Sequence, residues 1–322
     1  MIGRLLVDGI DVYSSFGVFV SKEGLNGLID FPSIKQVDVN DWQEEDGEEP
    51  DLSGIVVKQG LNGEPDIVRL ALESKIFNIS FIAHGQYSKF DDFILLLSDN
   101  AYHDFQFTGI GRAYKLRMVD QPDLSLIGDL GMFNVSFADD FPVSESYVYT
   151  GPTSTISLPD GYDIDNVSLS NYGVLVLKGL SEIRRSPAVK ISQFTDVVVI
   201  NGVVYDEDGP VVFKAKDVTL ECLMKAPTTA EFWKNYDALL YDLTKPNERN
   251  LFVNDILRGF SFYYKGCSTS EFHYTNGVWW RFNLSVRMTM FRVNGIEYLF
   301  AAESGELIIT EDGYAIDLNV NL

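Results

Sequence analysis

Much of the chain alternates between apolar and polar positions. In "KIFNISFIA", Phe77, Ile79 and Phe81 oppose Ile76, Asn78 and Ser80. In "KDVTLECLM", Val218, Leu220 and Cys222 oppose Thr219 and Glu221. A period of two, carried by aromatic and branched residues, predicts strands with one face buried. Two stretches break this pattern. "TTAEFWKNYDALLYDL", residues 228–243, places Phe232, Tyr236, Leu239, Leu240 and Leu243 at helical spacing, with Lys234, Asn235 and Asp237 on other faces. Thr228 followed by Glu231 reads as a capping box. "YSKFDDFILLLSDN", residues 87–100, repeats the theme with Ser88 and Asp91, then Phe90, Phe93, Ile94 and Leu97. Each helix is expected to lie across the open apolar face of its own sheet.

The two helices belong to a pattern written twice. Phe16-Gly17-Val18 in "GIDVYSSFGVFV" matches Tyr172-Gly173-Val174 in "DIDNVSLSNYGVLV". Acidic turn signals follow in both halves, at Asp46-Gly47 and at Asp208-Gly209, and then strand and helix. Arg112 and Gly131 are 19 residues apart, as are Arg258 and Gly277, so "GMFNVSF" is set against "GVWWRFNLSV". The expected fold class is mainly β with minor α: two tandem β-barrel or β-sandwich units, each with one flanking helix. The expected boundaries are 1–145 for the first unit, 146–159 for a linker, 160–295 for the second unit and 296–322 for a terminal hairpin around Glu311-Asp312-Gly313. "SYVYT" and "STISL", near the linker, have the composition of short strands.

Composition narrows the function classes. The 322 residues carry 25 Lys and Arg against 47 Asp and Glu, a net charge of −22. That balance argues against wrapping nucleic acid, which needs basic patches. The two cysteines, Cys222 and Cys267, have no zinc spacing, and a disulfide between them stays open. The opening residues have neither the apolar core nor the cleavage site of a signal peptide, and no apolar run is long enough to cross a membrane.

Little in the sequence carries chemistry. His84, His103 and His273 stand in separate segments without metal spacing. The acidic runs Glu44, Glu45, Asp46, Glu48, Glu49 and Asp206, Glu207, Asp208 fit no calcium loop and read as solvated turns. "TGIGRAY" lacks the third glycine and the helix of a dinucleotide site. Sequons begin at Asn78, Asn134, Asn166 and Asn283 and matter only in a glycosylating pathway. No catalytic residue, cofactor or metal is expected. Trp279 and Trp280 are adjacent on a strand, so alternation sends them to opposite faces and at most one is core. Trp279, Trp280, Tyr263 and Trp42 are the candidate interface residues.

"DIDNVSLSNYGVLVLKG", then "KDVTLECLMKAPTTAEFWKNYDALLYDLTKPNERNLFV", then "FYYKGCSTSEFHYTNGVWWRFNLSVRMT" resemble the tail-tube-type domain of long-tailed bacteriophages, as found in distal tail and tail-hub proteins. The likeness covers about residues 160–292; the first half shares it through its parallel with the second. It implies a β-barrel or sandwich with a flanking helix, no catalytic residues, and copies assembled into rings around a DNA channel. Distal tail proteins usually carry one such domain before a different one. Two such domains resemble the hub arrangement, in which three chains imitate a six-fold ring, so trimer and hexamer both stay open. The implied partners are the chain itself, other tail proteins above and below, and DNA only as passing cargo. The implied setting is the virion tail, assembled in a bacterial cytoplasm. Two other classes are a secreted or surface carbohydrate-binding β-protein, which requires an exposed aromatic groove, and a hydrolase with two carboxylates converging in a cleft.

Overall fold

The computed structural model describes residues 4–21, 26–35, 57–59, 65–67, 71–84, 87–99, 101–120, 124–127, 130–143, 147–187, 194–195, 204–205, 216–245, 248–288, 290–293 and 296–299. Trp42, the two acidic turns and the hairpin expected around Glu311-Asp312-Gly313 lie outside these residues.

The first half contains β1 (Leu5–Val7), β2 (Ile10–Asp11), α1 (Val12–Phe16), β3 (Val18–Val20), α2 (Asn26–Ile29), β4 (Val57–Gln59), β5 (Pro65–Ile67) and β6 (Lys75–His84). It continues with α3 (Tyr87–Leu97), β7 (His103–Phe107), β8 (Arg112–Asp120), β9 (Leu124–Ile127) and β10 (Leu130–Asp139). The second half contains β11 (Tyr162–Ile164), β12 (Val167–Ser168), a 3-10 turn over Leu169–Tyr172, β13 (Val174–Lys178), α4 (Leu180–Arg184), β14 (Phe194–Thr195), β15 (Val204–Tyr205) and β16 (Lys216–Ala226). It ends with α5 (Thr229–Leu243), β17 (Arg249–Val253), β18 (Arg258–His273), β19 (Val278–Met288), β20 (Met290–Val293) and β21 (Ile296–Leu299).

Two antiparallel sheets carry the fold. Their strand orders are β2-β1-β7-β8-β10-β6-β3, with β9 added beside β10, and β12-β11-β17-β18-β19-β16-β13. Taken in chain order, these are one topology used twice, each copy with a helix after the long strand next to its edge, β6 or β16. The fold is therefore mainly β, in two tandem units.

The repetition extends to single atoms. Gly17 and Gly173 both hold positive φ, 68° and 73°, and close a short helical turn. Their carbonyls accept from His84 N at 2.9 Å and from Lys225 N at 2.8 Å. A Cβ at either glycine would lie 2.4 Å from the carbonyl oxygen of that same strand residue, so only glycine fits. Asp8 Oδ1 accepts from Asp104 N at 2.9 Å, and Asp165 Oδ1 from Asn250 N at 2.9 Å. The other oxygen of Asp8 meets His103 Nδ1 at 2.6 Å, while that of Asp165 accepts from Arg249 Nη1 at 2.8 Å. Ser98 Oγ donates to Ile94 O at 2.6 Å, and Thr244 Oγ1 to Leu240 O at 2.9 Å. A β-bulge also recurs: Val119 is the extra residue between Met118 and Asp120, and Lys265 between Tyr264 and Gly266.

Two expected alignments are corrected. Gly131 pairs with Ala83 inside β10, whereas Gly277 lies at a hairpin tip. Because Gly17 sits beside His84 and Gly173 beside Lys225, Leu130 corresponds to Trp279 and Gly131 to Trp280. The added residues lie in the longer β18–β19 hairpin, and matching the glycines would turn every side chain to the wrong face. Likewise the caps Ser98 and Thr244, not Ser88 and Thr228, set the helix register. On that register α3, at 11 residues, lacks the first turn of the 15-residue α5.

α3 packs on its own sheet. Phe93 and Leu97 are buried, and Phe90 meets Phe133 edge-on at 4.8 Å. α5 departs from expectation, because it is buried on several faces, including Trp233, Asn235 and Asp242. "YVYT" and "STISL" are not strands; they run along α5. Thr153 N donates to Asn235 Oδ1 at 2.9 Å, and Tyr149 OH to Asp242 Oδ2 at 2.8 Å. Those bonds satisfy polar groups that burial would otherwise penalise. Cys222 and Cys267 are both free thiols.

Candidate functional site

The remaining faces of α5 meet the first half, and this joint is the most elaborated polar and aromatic site among the described residues. Its centre is the arm made by the end of α2 and the residues that follow, "LIDFPSI", residues 28–34. Phe31 is buried among aromatic rings of the second half: Tyr236 at 4.4 Å and Trp280 at 5.2 Å between centroids. Burying a Phe side chain stabilises by about 1.5–3 kcal/mol.

Backbone groups lock the arm in place. Tyr236 OH donates to Ile29 O at 3.0 Å and to Asp30 O at 3.2 Å, and Tyr264 OH to Pro32 O at 2.7 Å. Thr269 N donates to Asp30 Oδ1 at 2.5 Å. Ile34 N donates to the carbonyl of Lys265, the bulged residue, at 3.0 Å. A bulge leaves a carbonyl outside the ladder, and here the arm takes it.

A second contact comes from the β7–β8 turn. Trp233 Nε1 donates to Ile110 O at 2.6 Å. Arg112 grips Asp237 with two hydrogen bonds, 2.7 and 2.8 Å, and lies 4.6 Å from the Trp233 ring centre. A bidentate fork of this kind is among the stronger pairings available to side chains.

The arm is anchored in its own repeat by a buried amine. Lys75, the first residue of β6, donates to Leu28 O at 2.6 Å and Asp30 O at 3.1 Å. Lys216, the first residue of β16, likewise donates to Ile183 O at 2.9 Å and to Arg185 O. Burial pulls both lysines down to about 8, against the opposing pull of Asp139 and Asp30 on Lys75 and of Glu182 on Lys216. Burial also raises Asp30 and Asp139 above the ordinary carboxylate range. A cleft of about 910 Å³ opens beside the joint, lined by Lys75, Arg112, Asp139, Tyr147, Tyr236 and Asp237 among others. Within it Arg112 is paired with Asp237, while Lys75 is held by the carbonyls of Leu28 and Asp30.

The sequence candidates fall in different places. Trp280 has 0% exposure; it stacks on Phe282 at 3.9 Å and donates to Thr269 Oγ1 at 2.8 Å. It forms a wall of the joint inside the chain and has no surface to offer another copy. Trp279 faces outward, half-buried, stacked on His273 at 4.1 Å. Tyr263 is half-buried on β18 opposite Arg287. The outer face around them carries ion pairs: Glu221 with Lys178 and Arg281, and Asp217 with Lys265 and Arg287. His103 lies between Asp8 and Asp99, whereas His84 ends β6. The acidic runs at 44–49 and 206–208 lie outside the described residues. Sequence reasoning missed Phe31, Asp30 and Arg112. The signal present was an apolar run interrupted by Pro32 in a segment that alternation does not explain.

No family model matches the chain, and no curated protein matches it. Among solved structures, several chains are similar. One of them is the SPP1 Dit (gp 19.1) protein, described as a paradigm of the hub adsorption apparatus in phages that infect Gram-positive bacteria. The two share 9% identity with a TM-score of 0.28, over 88% of this chain and 97% of that one. A likeness at that score carries no argument about function.

Among the described residues, no group of three or more His, Cys, Asp or Glu is placed to hold a metal ion, and no helix is long and apolar enough to cross a membrane.

Proposed function

We infer that the chain is a structural component of a phage or prophage tail, a distal-tail or tail-hub adaptor whose copies form a ring joining the tail tube to the tip. One observation carries this reading: a single antiparallel topology, with its helix, occurs twice in tandem, and the first copy docks onto the helix of the second. A unit that already packs against its own duplicate is suited to closed assembly, where each subunit covers its neighbour's exposed elements. The resemblance of residues 160–292 to the tail-tube-type pattern motivates the same reading.

In this role the protein acts through shape, without turnover. Trp279 and Tyr263, on the outer face of the second sheet, are proposed contacts with neighbouring tail proteins. The net charge of −22 lets DNA pass a ring without sticking, because phosphates are repelled by an acidic wall. Boundaries near 145 and 160 are proposed to separate the two ring-forming units.

The test is the mass of the full chain in solution, followed by electron microscopy. Annular particles with a hole wide enough for duplex DNA are expected. A strictly monomeric chain whose melting temperature rises with added oligosaccharide would overturn the adaptor in favour of a carbohydrate-binding module.

A further inference from the structure

The two repeats act as controls for one another at the cleft beside the joint. On their shared register the opening lysines correspond: Lys75 lies opposite Asp139 on β10, and Lys216 opposite Met288 on β19. Both amines donate to backbone carbonyls, so the structural role of the lysine is filled in each repeat. Met288 shows that this role needs no facing carboxylate. Likewise Lys115, opposite Asp104, corresponds to Ser261, opposite Asn250. The first repeat therefore carries two charged groups, Asp139 and Lys115, that the common fold does not require, and both line the cleft.

Lys75 and Asp139 are cross-strand neighbours but not an ion pair. An ammonium has three donors, and two of those on Lys75 are taken by Leu28 O and Asp30 O. Asp139, 6% exposed, accepts from Phe141 N at 3.0 Å through one oxygen; its other oxygen has no hydrogen bond among the described residues. The floor of the cleft thus offers one donor beside one acceptor. Tyr147 adds a third polar group, a buried hydroxyl with no partner. A buried phenol without a hydrogen bond destabilises the chain unless a ligand supplies one.

The walls and rim define the rest of the ligand. The ring of Tyr147 lies 5.8 Å from that of Tyr241, and Phe141 is 50% exposed. Lys115, exposed, sits 5.7 Å over the Phe141 ring and makes no ion pair among the described residues. The lining carries three basic side chains, Lys75, Arg112 and Lys115, against two acidic ones, Asp139 and Asp237. In a chain of net charge −22 this is a local reversal of sign, and it favours an anionic partner. The volume of about 910 Å³ is within the range of ligand sites.

We propose that this cleft binds a short acidic segment of another polypeptide. One backbone amide of the segment bridges the floor, its C=O accepting from Lys75 and its N–H donating to Asp139. An apolar side chain beside it lies against Tyr147 and Phe141, and a neighbouring Asp or Glu meets Lys115 at the rim. A further peptide carbonyl accepts from the Tyr147 hydroxyl. A secondary amide fits the floor because it accepts and donates at once, whereas a free carboxylate there would satisfy Lys75 and repel Asp139. The site belongs to a single chain and does not depend on the ring reading above.

Isothermal titration of the full chain with the peptide acetyl-Glu-Glu-Trp-Glu-Glu-amide tests this, with acetyl-Gln-Gln-Trp-Gln-Gln-amide as the uncharged comparison. The acidic peptide is expected to bind about fivefold or more tightly than the uncharged one, and Lys115→Glu to remove that advantage. Tyr147→Phe should weaken binding about two- to tenfold. It should leave the melting temperature of the free chain level or higher, because only an unpaired hydroxyl is lost. That combination separates a hydroxyl that meets a ligand from one that holds the fold. Binding that ignores both substitutions, equal affinity for the two peptides, or no binding of the acidic peptide at about 1 mM overturns the site. Each of these results is independent of how many copies associate.

Discussion

At the scale of single residues, Phe31 ties the two halves into one core. Replacing it with Ala should destabilise the chain by about 3–5 kcal/mol, since the cage of Tyr236, Trp280 and Tyr264 is built from two repeats and cannot easily collapse. Denaturant unfolding reads this directly, and a loss below about 1 kcal/mol would contradict it. Titration offers a second check. The Arg117 hydrogen bond holds Asp140 down to about 2 from an ordinary 3.8, with Ser74 and Tyr102 adding to it against some burial. Between those values the unfolded chain binds more protons than the folded one. That contribution is therefore complete above pH 3.8 and is lost as the pH falls through 2. Asp140→Asn should remove this part of the acid slope. Lys75 and Lys216 act at the other end. Their folded value near 8 lies below the ordinary 10.5, so stability should rise with pH from about 8 to 10.5. Lys75→Met should flatten that rise while Lys216 retains its share, provided the melts are compared at equal ionic strength.

At the scale of elements, the alternation that named β6 and β16 was enough to place both buried rows, Phe77-Ile79-Phe81 and Val218-Leu220-Cys222. The paired Gly17 and Gly173 also showed the repeat, because a backbone oxygen lies where any Cβ would stand. Gly17→Ala and Gly173→Ala should therefore cost similar amounts, about 1–3 kcal/mol each, measured as matched falls in thermal stability. Register was beyond the same reasoning. A glycine can end a turn or fill a strand, so Gly131 and Gly277 look alike in sequence while one lies inside β10 and the other at a tip. The surroundings of α5 were also illegible. Its Asn235 and Asp237 have the polarity of a solvated face, yet one is capped by Thr153 and the other is gripped by Arg112 across 125 residues. Alternation showed that Trp279 and Trp280 diverge; only the closed core shows that Trp280 is the inward one.

At the scale of the whole molecule, the halves are joined by an arm rather than by a tether alone. A chain beginning at Tyr147 would expose Tyr236, Trp233 and the Lys265 carbonyl. It should melt well below the full chain, as differential scanning calorimetry would show. Native mass spectrometry of the full chain would distinguish trimer from hexamer.

The arm also imposes a timetable on biosynthesis. Ile29 and the tyrosine hydroxyl that seizes its carbonyl are separated by 207 positions. At ribosomal speeds of about 5–20 residues per second, the segment carrying Phe31 waits on the order of 10–40 seconds for its receptor to be translated. Throughout that interval a large aromatic side chain has no home, and each polysome presents several nascent chains in this condition. The hazard of premature partnering between neighbouring ribosomes is therefore written into the order in which the two repeats are made.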